Sequence, residues 1–165
     1  MSVQEHRRTA PASARCVVLT VSDTRTDDTD TSGRAIAELL TSAGHAIVRR
    51  KILRDEPAQV RAAVEASLGS VDAVITTGGT GVTSRDSTYE AIAGLLDKRL
   101  DGFGELFRAL SFQEIGSAAM LTRALAGVAR RTAIFMLPGS ENAVRLAMTR
   151  LIVPELSHVI RELRR

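Results

Sequence analysis

The stretch Val71-Asp72-Ala73-Val74-Ile75-Thr76-Thr77-Gly78-Gly79-Thr80-Gly81 joins an apolar, β-branched run to a glycine-rich loop, and its reading decides the fold. Residues 71–77 fit a buried strand, being short, β-branched and bounded by turn residues. The loop 78–86 then feeds a helix carrying Tyr89, Ile92, Ala93 and Leu96 at helical spacing. A strand, a glycine turn and a helix in that order make the first half of a βαβ unit.

The same alternation extends in both directions. Upstream, Arg15-Cys16-Val17-Val18-Leu19-Thr20-Val21 reads as a strand and the polar run 22–32 as a loop. Residues 33–43 form a helix with Ile36, Leu39, Leu40 and Ala43 on one stripe, stopped by Gly44. A strand is expected over 45–53, and Pro57 opens a helix carrying Val60, Ala63, Val64 and Leu68. Downstream, 103–115 is helical, 121–128 and Thr132–Leu137 are strands around an Ala129-Arg130-Arg131 turn, and 140–165 is helical, with a break or fresh first turn at Pro154. Alternation of this kind predicts a mainly parallel sheet covered on both faces, a three-layer α/β domain with an antiparallel section near residues 121–137. Residues 1–14 are expected to be a flexible tail and 15–165 a single domain.

Composition narrows the function classes. The 165 residues are 44% hydrophobic and suit one core. A single cysteine, Cys16, excludes an internal disulfide and points to a reducing, cytoplasmic setting. The N-terminal stretch lacks the apolar segment of a signal peptide. No apolar run reaches the roughly 20 residues that span a bilayer, so no membrane role is expected. Net charge is +3, but the arginines are interleaved with acids and aromatics are only 3%, which argues against nucleic-acid binding. His6, His45 and His158 lie far apart and give no zinc-like spacing. Cys16 reads as a small core residue.

Ligands of open α/β sheets collect outside the carboxyl ends of the strands. The loops expected there are 22–32, Arg54-Asp55-Glu56, 78–86 and Pro138-Gly139-Ser140. Gly78, Gly79, Thr80 and Gly81 let the backbone approach an anion and present N–H groups to it. A tight turn without a ligand is the other reading of the same residues. Neither a G-x-G-x-x-G loop after the first strand nor a Gly-Lys-Ser/Thr ending is present, which excludes a dinucleotide fingerprint and a Walker A loop. Ser22, Asp23, Asp30 and Ser32 are placed to contact ligand from the first loop, or to serve as turn and cap residues. Ser140 is placed to cap the last helix, beside a Gly139 that admits a phosphate. Glu105 either closes the site or pairs with Arg108 at helical spacing.

Asp30-Thr31-Ser32-Gly33, the Thr76–Gly81 run with Arg85-Asp86, Gly102-Phe103-Gly104-Glu105, the 108–116 segment RALSFQEIG and Leu137-Pro138-Gly139-Ser140 together resemble the MogA/MoaB family of molybdopterin-binding proteins, in its short MoaB branch. The resemblance implies a mixed-sheet α/β/α fold and a homo-oligomer, trimer or hexamer. It also implies participation with other molybdenum cofactor biosynthesis enzymes. Active members join AMP from ATP to molybdopterin with magnesium, releasing pyrophosphate. By the same resemblance Asp55 and Asp86 are the expected catalytic and magnesium-binding acids, whereas residue type alone also allows each to cap the helix after it. A non-catalytic molybdopterin carrier or regulator of the same family is the alternative.

Overall fold

Strand β1 (Arg15–Val21) is buried at every position after the first, as a β-branched run between two neighbours should be. It pairs in parallel with β2 (Ala46–Leu53) on one side and β3 (Ala73–Thr77) on the other. β3 is parallel to β6 (Thr132–Leu137). β5 (Leu125–Ala129) then reverses direction against β6, and the short β4 (Lys98–Arg99) closes the sheet antiparallel to β5. The strand order is β2-β1-β3-β6-β5-β4. The computed structural model describes residues 13–165.

Period-two alternation sends side chains to two cores. Cys16, Val18, Ile75, Phe135 and Leu137 face one layer of helices: α1 (Thr31–Ser42), α4 (Asp101–Ile115), α5 (Glu141–Ala147) and α6 (Val153–Arg164). Val17, Leu19, Val74, Ile134 and Met136 face the other layer, α2 (Pro57–Glu65) and α3 (Thr88–Ala93). The expected three-layer α/β/α arrangement with a mostly parallel mixed sheet is the one observed. The exposed edge strand β2 carries Arg49, Arg50 and Lys51, charges that discourage edge-to-edge pairing. No helix among the described residues is long and apolar enough to cross a membrane.

Two expectations are corrected. The strand read over 121–128 begins only at Leu125, where pairing with Met136 starts. Before it, Gly116 at φ +66° ends α4 and a 3-10 turn occupies Gly116–Leu121. The helix read through Leu96 stops at Ala93, because the chain turns to pair as β4, and the Asp97 N–H donates to the Val128 carbonyl at 2.8 Å. The last helix is divided by a π-helical turn, Met148–Ile152, with Pro154 in the first turn of α6. Most of the expected tail, residues 1–12, lies outside the described residues. Ala14 is buried in the fold, and its N–H donates to His45 Nδ1 at 3.1 Å.

Burial, with a smaller contribution from the Asp72 charge, pushes the Cys16 thiol up to about 12. Thiolate is the reactive form, so native protein at pH 8 is expected not to react with a disulfide reagent, whereas one equivalent reacts in denaturant. Rapid stoichiometric labelling of the native protein would contradict this placement of Cys16.

Candidate functional site

The parallel strands deliver their carboxyl ends to one edge. There the Ser22 N–H donates to the Leu53 carbonyl at 2.8 Å and the Gly78 N–H to the Leu137 carbonyl at 3.0 Å, so four loops start from a common line. The chain goes outward from β1 to β2 and returns to β3 on the other side. That reversal opens a crevice between β1 and β3. A cavity of about 390 Å³ lies there, lined by Ser22, Arg25, Asp30, Ser32, Gly78, Gly139 and Ser140 among others.

Glycine is required at two points of the loop. Gly78 has φ +94°, and a Cβ there would sit 2.2 Å from the Val21 carbonyl oxygen. At Gly79, φ +68°, a Cβ would meet Thr88 Oγ1 at 1.9 Å and Asp55 Oδ2 at 3.1 Å. The Thr88 hydroxyl is buried with no hydrogen-bond partner, leaving an unsatisfied polar atom against the loop.

Of the expected residues, Ser22, Asp30, Ser32, Gly78, Gly139 and Ser140 line the cavity. Asp30 is 1% exposed and accepts from Gly33 N–H (2.9 Å), Thr20 Oγ1 (2.9 Å) and Arg50 Nη2 (2.6 Å). It caps α1 and anchors the wall rather than offering a free carboxylate. Ser32 donates to the Gly139 carbonyl at 2.7 Å and Thr77 to that of Pro138 at 2.7 Å, tying α1 and β3 to the loop after β6. Ser140 accepts from Ala143 N–H at 3.3 Å and caps α5, as read from the sequence.

Asp23, Asp55 and Asp86 sit on the other side of the glycine loop. Asp23 accepts from Asp55 N–H at 3.1 Å and from Arg85 Nη2 at 2.8 Å. The Arg85 guanidinium holds its carboxyl below the usual range. Asp55 is buried and accepts from the Ser87 hydroxyl at 2.8 Å. Asp86 accepts from Thr83 N–H at 2.9 Å and Thr83 Oγ1 at 2.6 Å, and that hydroxyl keeps it ionised below the ordinary carboxylate range. Neither acid caps a helix: Glu56 and Ser87 occupy the cap positions of α2 and α3 and make no side-chain cap bond. The capping readings of Asp55 and Asp86 are therefore corrected.

Sequence reading missed Arg25 and Arg123. Arg25 lines the first cavity and donates to the Thr29 carbonyl at 3.0 Å. Arg123 donates to the carbonyls of Thr80 (3.2 Å) and Asp86 (3.3 Å), pairs with Glu90, and lies 5.1 Å over the Tyr89 ring. An arginine inside a run otherwise read as a buried strand was the available signal. A second cavity of about 320 Å³, lined by Arg99, Arg108 and Arg123 among others, is linked to the loop through Arg123. Glu105 is exposed on α4 and lines neither cavity. Its expected partner Arg108 instead donates to the Ala124 carbonyl at 3.4 Å, which corrects the Glu105–Arg108 pairing.

Residues 17–158 match the family model described as a probable molybdopterin binding domain. The chain belongs to that family. Within it, molybdenum cofactor biosynthesis protein B of Halalkalibacterium halodurans is 54% identical over 166 residues, covering 99% of this chain and 98% of the relative. The Bacillus subtilis protein of the same name is 53% identical, covering 100% of this chain and 99% of the relative. The crystal structure of the tungsten cofactor synthesizing protein MoaB from Pyrococcus furiosus superposes with a TM-score of 0.86 at 41% identity, over 94% of this chain and 100% of that one. The family places this chain in molybdenum cofactor biosynthesis, and the 20–32 segment, Gly78 and the 138–140 turn together build the cavity.

Asp30→Ala removes a helix cap and leaves Arg50 without its carboxylate. The expected loss is about 2 kcal/mol, read as a lower urea midpoint. An unchanged midpoint would show that the Asp30 contacts do not hold the cavity wall.

Proposed function

We propose that this protein joins AMP from ATP to the terminal phosphate of molybdopterin. A phosphate oxygen of molybdopterin attacks the α-phosphorus, the bond to the bridging oxygen of the β-phosphate breaks, and pyrophosphate leaves. The observation that carries this reading is that Asp55 and Asp86 flank Gly79 and Gly81 without being spent on helix caps. A pure binding protein has no need of two acids beside an anion-binding loop.

Two phosphate-bearing reactants repel each other, so the reaction depends on positioning and charge neutralisation more than on a protein nucleophile. The two cavities suit two such reactants, with Arg25 to offset charge in one and Arg123 in the other. Asp55 and Asp86 are hard oxygen donors, and the unpartnered Thr88 hydroxyl lies next to Asp55 across Gly79. That donor set fits magnesium, whose remaining ligands come from phosphates and water. Magnesium, when bound, supplies the positive charge that lets the two phosphates approach. Ser22 and Ser140 offer hydroxyls to the phosphate-bearing ligand in the first cavity, Ser32 holds the Gly139 turn beside it, and Arg85 holds Asp23 against the Asp55 loop.

Self-association belongs to the same reading. Phe112, Ile115, Met120 and Leu121 are 56–79% exposed on α4 and the 3-10 turn after it, apolar surface of the kind that subunits cover. A trimer or hexamer in the cytoplasm, working with other molybdenum cofactor biosynthesis enzymes, is consistent with it.

Purified protein incubated with molybdopterin and Mg-ATP should yield adenylyl-molybdopterin and pyrophosphate, resolved by chromatography. Molybdopterin binding without product would favour the carrier role. Asp86→Asn is expected to keep ligand affinity while lowering turnover at least tenfold, and unchanged turnover would remove Asp86 from the mechanism. Because Asp86 is held low by Thr83, its charge persists above that depressed pKa and is lost as pH falls through it. Thr83→Ala should therefore shift the acid limb of the kcat/KM profile to higher pH.

A further inference from the structure

At the amino edge of the sheet, opposite the glycine loop, a cleft of about 410 Å³ is lined by Arg15, Arg130, Arg131 and Arg164 with a single acid, Asp72. Arg15 comes from β1, Arg130 and Arg131 form the two-residue turn between β5 and β6, and Arg164 ends α6. Four guanidinium groups from three separate elements thus converge around one carboxylate.

The acids at this edge are already engaged. Asp72 accepts from the Arg15 N–H at 2.8 Å and from Arg164 Nη2 at 2.7 Å. Asp97 accepts from the Arg130 N–H at 2.8 Å, and Glu162 pairs with Arg165. The arginines keep donors to spare. Each guanidinium has five N–H donors, yet among the described residues the Arg15 side chain donates only to the Ser70 carbonyl, that of Arg131 only to the Leu163 carbonyl and that of Arg164 only to Asp72. Among the described residues nothing accepts from the Arg130 guanidinium.

The turn itself is costly. Arg130 and Arg131 both take positive φ, 46° and 65°, in a two-residue hairpin whose favoured occupants are Asn-Gly. Strained non-glycine residues persist where something else requires them, and here what they add is two exposed guanidinium groups.

We infer that this cleft docks a carboxylate-rich segment of a partner protein, leaving the glycine-loop edge open to small substrates. Guanidinium forks match carboxylates in paired hydrogen bonds. The same forks fit phosphate oxygens, but a backbone-amide phosphate cradle is not available here, because the N–H groups of Arg15, Gly69 and Arg130 are already donated to Asp72, Thr132 and Asp97. No aromatic residue lines the cleft, which removes the stacking that single-stranded nucleic acid uses.

The test is fluorescence anisotropy of a labelled peptide containing six consecutive glutamates, titrated with the full chain at low salt. The comparison is the double variant Arg130→Asn, Arg131→Gly, which installs the favoured turn residues while deleting both charges. We expect saturable, salt-sensitive binding to the parent protein and at least a tenfold loss in the variant. The thermal midpoint should stay equal or rise, and molybdopterin binding should not change. Absence of saturable binding, or equal binding by the variant, overturns the inference. So does tighter binding of an oligothymidylate or of tripolyphosphate than of the peptide. A variant that alters only the sedimentation coefficient of the protein would assign the cleft to contacts between copies of this chain and likewise overturn it.

Discussion

The parallel register that sets Thr20 beside Thr77, and Thr77 beside Leu137, is the constraint on which the rest of the molecule depends. Three strands that end level give three loops a common starting line. With β2 ending beside β1, the residues that leave this line are Ser22, Arg54, Gly78 and Pro138. A slip of one residue in β3 would exchange the faces of Val74 and Ile75 between two cores that are both buried. The loops are therefore held by the hydrophobic layers beneath them.

On that base, arginines organise the acidic loops. Arg50 holds Asp30 to the first wall, Arg85 joins Asp23 to the Asp55 segment, and Arg123 draws the 80–86 turn toward the start of β5. Each reaches a backbone or carboxylate oxygen far away in sequence, so the loop conformations are set across elements rather than within them. The Asp23–Arg85 pair is solvent-exposed and contributes little to overall stability, but it fixes where the Asp55 loop lies. The positions of Asp55 and Asp86 therefore depend on charge contacts, and the cavity walls on hydroxyl-to-carbonyl bonds from Ser32 and Thr77.

The fold was largely legible in the residues because buried parallel strands leave continuous β-branched runs, as at Val17–Val21 and 73–77, and amphipathic helices leave stripes such as Ile36, Leu39 and Leu40. Legibility failed where an element is defined by its partner. Residues 121–124 run into the strand without a turn residue between, yet β6 offers them no pairing and Arg123 is drawn aside. Lys98–Arg99 becomes a strand only because β5 lies next to it. In the site, the cavity-lining serines and glycines could be named from their loops, since topology alone brings those loops together. Asp30 could be read as a ligand contact or as a cap residue; it is a cap in the cavity wall, and its further anchoring rests on Thr20 and Arg50, ten and twenty residues away. Arg123 gave no local sign of its role beyond an arginine in the wrong company.

The placement of β6 also has a consequence for synthesis of the chain. β3 finds its first neighbour, β1, early, but its other edge waits for Thr132–Leu137. On the ribosome, a nascent chain carrying β1, β2 and β3 exposes the unpaired edge of Ala73–Thr77, with its N–H and C=O groups open, until those later residues emerge. Such an edge is a template for pairing with other chains. The wall made by Pro138 and Gly139 arrives with the strand that covers this edge, so protection from aggregation and completion of the crevice occur in the same step of folding.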